Sequence, residues 1–313
     1  SVDTVWCGTF QLAWNEMIKN KVKQDIIFNP KETMAENLNK KEFSDKDLSE
    51  KDYYTNFGLQ TKELKETIEK DIEDKFNEKS DMLDSINWYD TEEQAYGKYI
   101  SYAMLLKIFT FEYNFMDLDE GEFENGAYQN IKYFGVNNDT DTRIKKQIKI
   151  LYYNNDEDFA VELTTKEKEN IILCNNPKGK NFREIYDNIN KNAKSYNGTK
   201  SLTNIDDFKM PNLKLDVLRE YDELCEKEFK EKDGTIDKFS AAIQTIKLEL
   251  NKEGGKLKSE AITGVYNTSI RDAKKETPKH LYLDDSFSMF LVEEGKDTPY
   301  YASKITDITK FQK

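Results

Sequence analysis

A single histidine, His280, must serve any chemistry in this chain that needs an imidazole. One imidazole excludes a His-rich metal site and the helical His-Glu zinc signature. A nucleophilic triad would have to be built on His280 itself, which sits in KETPKHLYLDD at the start of a strand-like run. The expected reading is a part-buried or exposed loop histidine without a catalytic role. No serine stands in a GxSxG elbow. No nucleotide-type glycine loop is present, and Gly254-Gly255-Lys256 lacks the earlier glycines and the Lys-Ser/Thr pair of a phosphate cradle. Carboxylates are too abundant for any pair to stand out. Asp156-Glu157-Asp158 reads as a solvated hairpin tip and Asp284-Asp285 as an ordinary approach to a strand. Asn137, Asn138, Asp139 and Asp141 cluster like calcium ligands, but no glycine lies at the centre and no glutamate closes the loop. Cys7, Cys174 and Cys225 have neither metal nor redox spacing, and their odd number allows at most one bridge. The residues therefore point away from an enzyme, and neither metal nor cofactor is expected.

The stretch that does stand out is IKLELNKEGGKLKSEAI, residues 246–262. Ile246, Leu248 and Leu250 alternate with Lys247, Glu249 and Asn251, as in a strand with one buried face. The strand ends at Gly254-Gly255. About twenty residues without a clean period follow. The chain then closes with SMFLVE and YYASKI, two strands joined by EGKDTP.

The elements that would position this stretch are helices first and strands later. Residues 4–20 predict a helix with Phe10, Trp14 and Ile18 on one side. A shorter helix is expected at 31–40 and helical turns over 43–57. Thr61 can cap a helix in which Leu64, Ile68, Ile72 and Phe76 recur every four residues. Residues 92–108 read as a second amphipathic helix running into KIFTFEYNF, where helix and strand compete. Residues 146–164 predict a hairpin, 171–173 a strand, 182–196 a helix, 208–215 an extended segment and 216–229 a helix. This order suits an α+β domain better than a doubly wound sheet. One domain over 1–313 is expected, helix-rich over 1–107 and strand-rich over 108–313.

Charge and composition bound the partners. The chain has 313 residues, 60 acidic against 47 basic, and a net charge of -13. That balance argues against a nucleic-acid backbone binder, whose affinity rests on Lys and Arg. With 18 Tyr and 18 Phe it is too aromatic for a disordered acidic chain. No run approaches a membrane span. A signal or lipoprotein peptide ahead of Ser1 would place the protein outside the cell or on its surface; without one, the cytoplasm is expected. The richness in Lys, Asn, Ile and Tyr has a bacterial style.

Five stretches resemble serpin segments, and they come in serpin order. They are SYAMLLKIFTFEYNF (101–115), IKILYYNNDEDFAVEL (148–163), FKMPNLKLDVLREYDEL (208–224), IQTIKLELNKEGGKLKSEAI (243–262) and SFSMFLVEEGKDTPYYASKI (286–305). The likeness is to a divergent and shortened member. It implies a serpin-like α+β fold with helices packed on mixed sheets, and a five-stranded sheet centred on 243–251. It implies an exposed loop over 255–280 after a hinge of Glu253, Gly254, Gly255, Lys256, Ser259, Glu260 and Ala261. It further implies a bait region at Arg271, Lys274 and Lys275, and a protease or another protein as partner. An inhibitory serpin inserts its cleaved loop as a new strand, which needs a hinge of small side chains. Here Lys256, Lys258 and Glu260 interrupt that pattern. The expectation is a noninhibitory serpin-like binding protein. A protease inhibitor and an unrelated α+β interaction protein are the alternatives.

Overall fold

The computed structural model describes residues 4–258 and 278–312. The fold is α+β, and the chain divides into two compact units.

The first unit holds residues 4–7, 108–215, 247–258 and 278–312. Its main sheet is antiparallel throughout. The strands run in the order Thr4–Cys7, Tyr301–Ile305, Phe287–Glu293, Glu169–Asn175, Asp158–Thr164, Ile148–Asn155. Every residue of Phe287–Glu293 is buried. A strand covered on both faces reads as a continuous apolar run, which is how SMFLVE looks in the sequence. Helix Phe182–Ser195 starts where the Asn181 side chain accepts from the Glu184 amide. It packs Ile185, Tyr186 and Ile189 onto Ala160, Ile172 and Phe290 of this sheet.

A second sheet of the same unit has the order His280–Tyr282, Asp207–Pro211, Tyr133–Val136, Met116–Asp117. Its first pair is parallel and the others antiparallel. A third sheet has the order Leu213–Glu220, Ile243–Asn251, Gly254–Leu257, Lys107–Thr110.

The second unit holds residues 8–107 and 216–246. Helix Lys62–Phe76 is capped by Thr61, whose hydroxyl accepts from the Leu64 amide. Ile68 and Ile72 are fully buried against Tyr102 and Met104 of strand Tyr99–Leu105, which pairs with Tyr53–Leu59. A second cluster joins Trp14, Phe28, Tyr221, Leu224 and Phe229, with Phe239 stacked on Trp14 at 5.8 Å.

Four expectations are corrected. Residues 4–7 are a strand, and the first helix is only Thr9–Met17. Residues 99–105 and 107–110 are strands, not an amphipathic helix. Tyr99, Tyr102 and Ile100 have aromatic or branched side chains that suit a pleated surface, and a partner strand over forty residues upstream decides the matter. Residues 213–220 are one strand, so the helix expected over 216–229 is absent. The sheet around 243–251 has four strands among the described residues, not five.

Cys7, Cys174 and Cys225 are all free thiols. Cys7 and Cys174 are buried, and burial pushes the Cys174 thiol up to about 11. Cys225 is only part-buried. A thiol reagent at about pH 8 should label Cys225 alone in the native state, because the thiolate is the reacting form and access is required. Denaturant should then release two more. Three fast-reacting thiols in native protein would contradict this burial.

Candidate loop-anchoring site

The two segments that flank residues 259–277 are each tied into the first unit. Upstream, Gln244, Ile246, Leu248 and Leu250 point inward along Ile243–Asn251 and their neighbours are half-exposed, as the alternation predicts. The chain turns at Lys252-Glu253 and returns as Gly254–Leu257. Leu248 then faces Leu257, Glu249 faces Lys256, Leu250 faces Gly255, and Asn251 faces Gly254. The turn is pinned from both sides. The Phe111 amide donates to the Glu253 carbonyl at 3.0 Å and the Phe115 amide to the Lys252 carbonyl at 2.9 Å. Lys252 Nζ lies 2.6 Å from Asp117 Oδ2, and Asn251 Oδ1 accepts from the Glu253 amide.

Both glycines are required by space. Gly254 has φ +138°, and a Cβ there would lie 2.4 Å from the Phe109 carbonyl oxygen. A Cβ on Gly255 would lie 2.4 Å from the Phe109 ring, which is itself buried. The glycines therefore let this short strand lie against 108–110. Leu257 is buried, and the Lys258 amide still donates to the Lys247 carbonyl.

The exposed excursion expected over 255–280 is thus corrected at both ends. Gly255, Lys256 and Leu257 belong to a sheet strand, and His280 begins another. Of the residues expected as a hinge, Glu253, Gly254, Gly255 and Lys256 are brought together in this hairpin. Ser259, Glu260 and Ala261, and the bait positions Arg271, Lys274 and Lys275, lie outside the described residues.

Downstream, His280–Tyr282 runs parallel to Asp207–Pro211. The Asp207 amide donates to the Lys279 carbonyl at 3.1 Å, and the Leu283 amide to the Lys209 carbonyl at 2.9 Å. Asp207 is the side-chain centre of this pairing. Its Oδ1 lies 2.6 Å from His280 Nδ1 and its Oδ2 accepts from the Tyr282 hydroxyl. Neighbouring Asp206, fully buried, accepts from the Thr203 and Lys279 amides at 2.8 Å each. Lys145, also buried, donates to the Asn204 and Asp206 carbonyls at 3.0 and 3.1 Å, and burial holds its amine below the usual lysine range. Asp156 accepts from the His280 amide at 3.2 Å and from the Tyr153 hydroxyl.

Asp206, Asp207 and Asp156 were not legible as partners of the histidine. They lie 73 to 124 positions upstream, and no local spacing marks them. The one available signal was that a solitary histidine follows a long aperiodic stretch. The 137–141 cluster behaves as an ordinary polar loop. Asp141 accepts from the Arg143 amide and pairs with its guanidinium at 3.1 and 2.8 Å. Among the described residues, no helix is long and apolar enough to cross a membrane.

No family model and no curated protein matches the chain. Similar solved structures are serpins. One is Serpin48 from the insect Tenebrio molitor, described as highly specific, at 12% identity over 98% of this chain and 92% of that one, with a TM-score of 0.49. Another is human thyroxine-binding globulin complexed with thyroxine, at 10% identity over 95% of each chain, with a TM-score of 0.46.

Proposed function

We propose that this chain is a single-domain, serpin-like binding protein that does not trap proteases by loop insertion. It acts by binding, not by catalysis, and its contact element is the segment between the two anchors. The partner is a protein: a protease that is engaged without being trapped, or a cell-surface protein. Support comes from the five serpin-like stretches in serpin order and from the anchoring of both flanks.

The observation that carries the noninhibitory reading is the Gly254–Leu257 strand. It already occupies the sheet position between Ile243–Asn251 and Lys107–Thr110. Insertion traps a protease only if cleavage releases new strand pairing. Pairing that exists beforehand adds nothing to that gain. The alternation of Lys256, Lys258 and Glu260 also places charge where small side chains would ease entry into a sheet.

Limited proteolysis tests the reading. A cut within 259–277 should leave the melting temperature within about 2 °C of the intact protein, a shift below roughly 1 kcal/mol for a domain of this size. Incubation with a panel of serine proteases should give cleaved protein and fully active enzyme. A sharp rise in melting temperature together with a denaturant-resistant covalent complex would establish the inhibitor reading instead. Deleting 262–275 should abolish binding of a captured partner; retained binding would exclude this segment as the contact element.

A further inference from the structure

We propose that the His280–Asp207 pair is a pH-sensitive clip that holds strand His280–Tyr282 onto strand Asp207–Pro211 and loosens as the medium becomes alkaline. The geometry is specific. Asp207 is an acceptor on both oxygens, so the imidazole nitrogen 2.6 Å from Oδ1 carries the proton. The second ring nitrogen, Nε2, is then the atom that gains or loses a proton, on a side chain 43% exposed to solvent. When Nε2 is protonated the pair is an ion pair on top of its hydrogen bond. When it is not, a neutral ring faces the carboxylate.

The charged surroundings favour the protonated state from each side. Asp207 and Asp206 face the ring from the partner strand and its approach, and Asp156 from the turn after strand Ile148–Asn155. On the ring's own strand, Tyr282 shares Asp207 and packs against the imidazole at 5.4 Å. The described cations nearby lie against other rings: the Lys279 ammonium is 5.7 Å from the Tyr153 ring centroid, and that of Lys209, opposite Tyr282 on the partner strand, is 4.7 Å from the Tyr282 ring centroid. Consistent with this, the Asp207 hydrogen bond, with the negative charge of Asp207, Asp156 and Asp206, holds the imidazole above its ordinary value despite some burial.

The sign follows from linkage. A histidine raised in the folded state binds a proton more tightly there than when its strand is detached. Below the ordinary imidazole value of about 6.5 both states are protonated and the clip holds fully. Its contribution is lost as pH rises through the folded value. Each unit of elevation bounds the change in the strand's opening constant at about tenfold. Salt weakens the effect, because the pair is part-exposed.

The sole histidine makes the test clean, since any imidazole resonance belongs to His280. Titration of its ring protons by NMR from about pH 5.5 to about pH 9 should give a midpoint above 6.5, and Asp207→Asn should lower it. Hydrogen exchange of residues 279–283, corrected for intrinsic rates, should show protection falling severalfold across the same range. His280→Gln keeps a donor but cannot titrate, so it should flatten that dependence while the melting profile stays cooperative. A midpoint at or below 6.5 would overturn the clip. So would an undiminished pH dependence of exchange in His280→Gln.

Discussion

Gly135→Ala should cost about 3 kcal/mol or more and lower the denaturant midpoint of the protein accordingly. Gly135 lies in the buried strand Tyr133–Val136, opposite Lys209 on one side and Met116 on the other. A Cβ at this position would fall 1.9 Å from the Phe208 carbonyl oxygen and 2.8 Å from its carbon. Those are backbone atoms of the neighbouring strand, so no rotamer change relieves the clash. The two strands must separate, and the Asp207–Pro211 strand also carries the His280 contact. Gly121→Ala is the matched control, since its nearest atom is a Tyr133 ring carbon at an ordinary 3.4 Å. It should change stability by less than about 1 kcal/mol. Equal denaturation midpoints for Gly135→Ala and wild type would refute the close packing of this sheet.

Gly255→Val should expel the Gly254–Leu257 strand from its sheet at a cost of about 2–3 kcal/mol. The added side chain meets the Phe109 ring, which is 1% exposed and has nowhere to move, and lies 3.1 Å from the Glu249 carbonyl. Gly254→Ala should act in the same direction through its positive φ and the Phe109 carbonyl. Hydrogen exchange should then rise in 254–258 and proteolytic sites should appear upstream of residue 259. The Phe287–Glu293 strand, buried along its whole length, should keep its protection. If the occupied position is what prevents insertion, the expelled variant should gain thermal stability when cut, whereas wild type should not. A Gly255→Val protein that keeps its protection at 254–258 would show that this strand is not held by close contact with 108–110.

The parts of this molecule that were legible before folding are those whose partners are near in sequence or whose pattern is complete in itself. Helix Lys62–Phe76 shows its apolar stripe and its Thr61 cap within one window. The hairpin Ile148–Asn155 and Asp158–Thr164 has both strands and its turn in one stretch. Ile243–Asn251 alternates so regularly that its buried face could be named residue by residue. In each case local periodicity and local burial coincide.

Tertiary structure decided the rest, because the competing patterns were balanced until a distant partner arrived. Tyr99–Leu105 has the composition of either element, and its pairing with Tyr53–Leu59 selects the strand. Leu213–Glu220 passes through residues with helical spacing, yet its place beside Ile243–Asn251 keeps it extended to Glu220. Gly254 and Gly255 were visible as glycines, but only the approach of Phe109 shows why a side chain is excluded. The same holds for His280. Its type announced a proton-binding group. The carboxylates that surround it come from positions 156, 206 and 207, brought together by sheet pairing across more than seventy residues, a distance over which no spacing in the chain carries information.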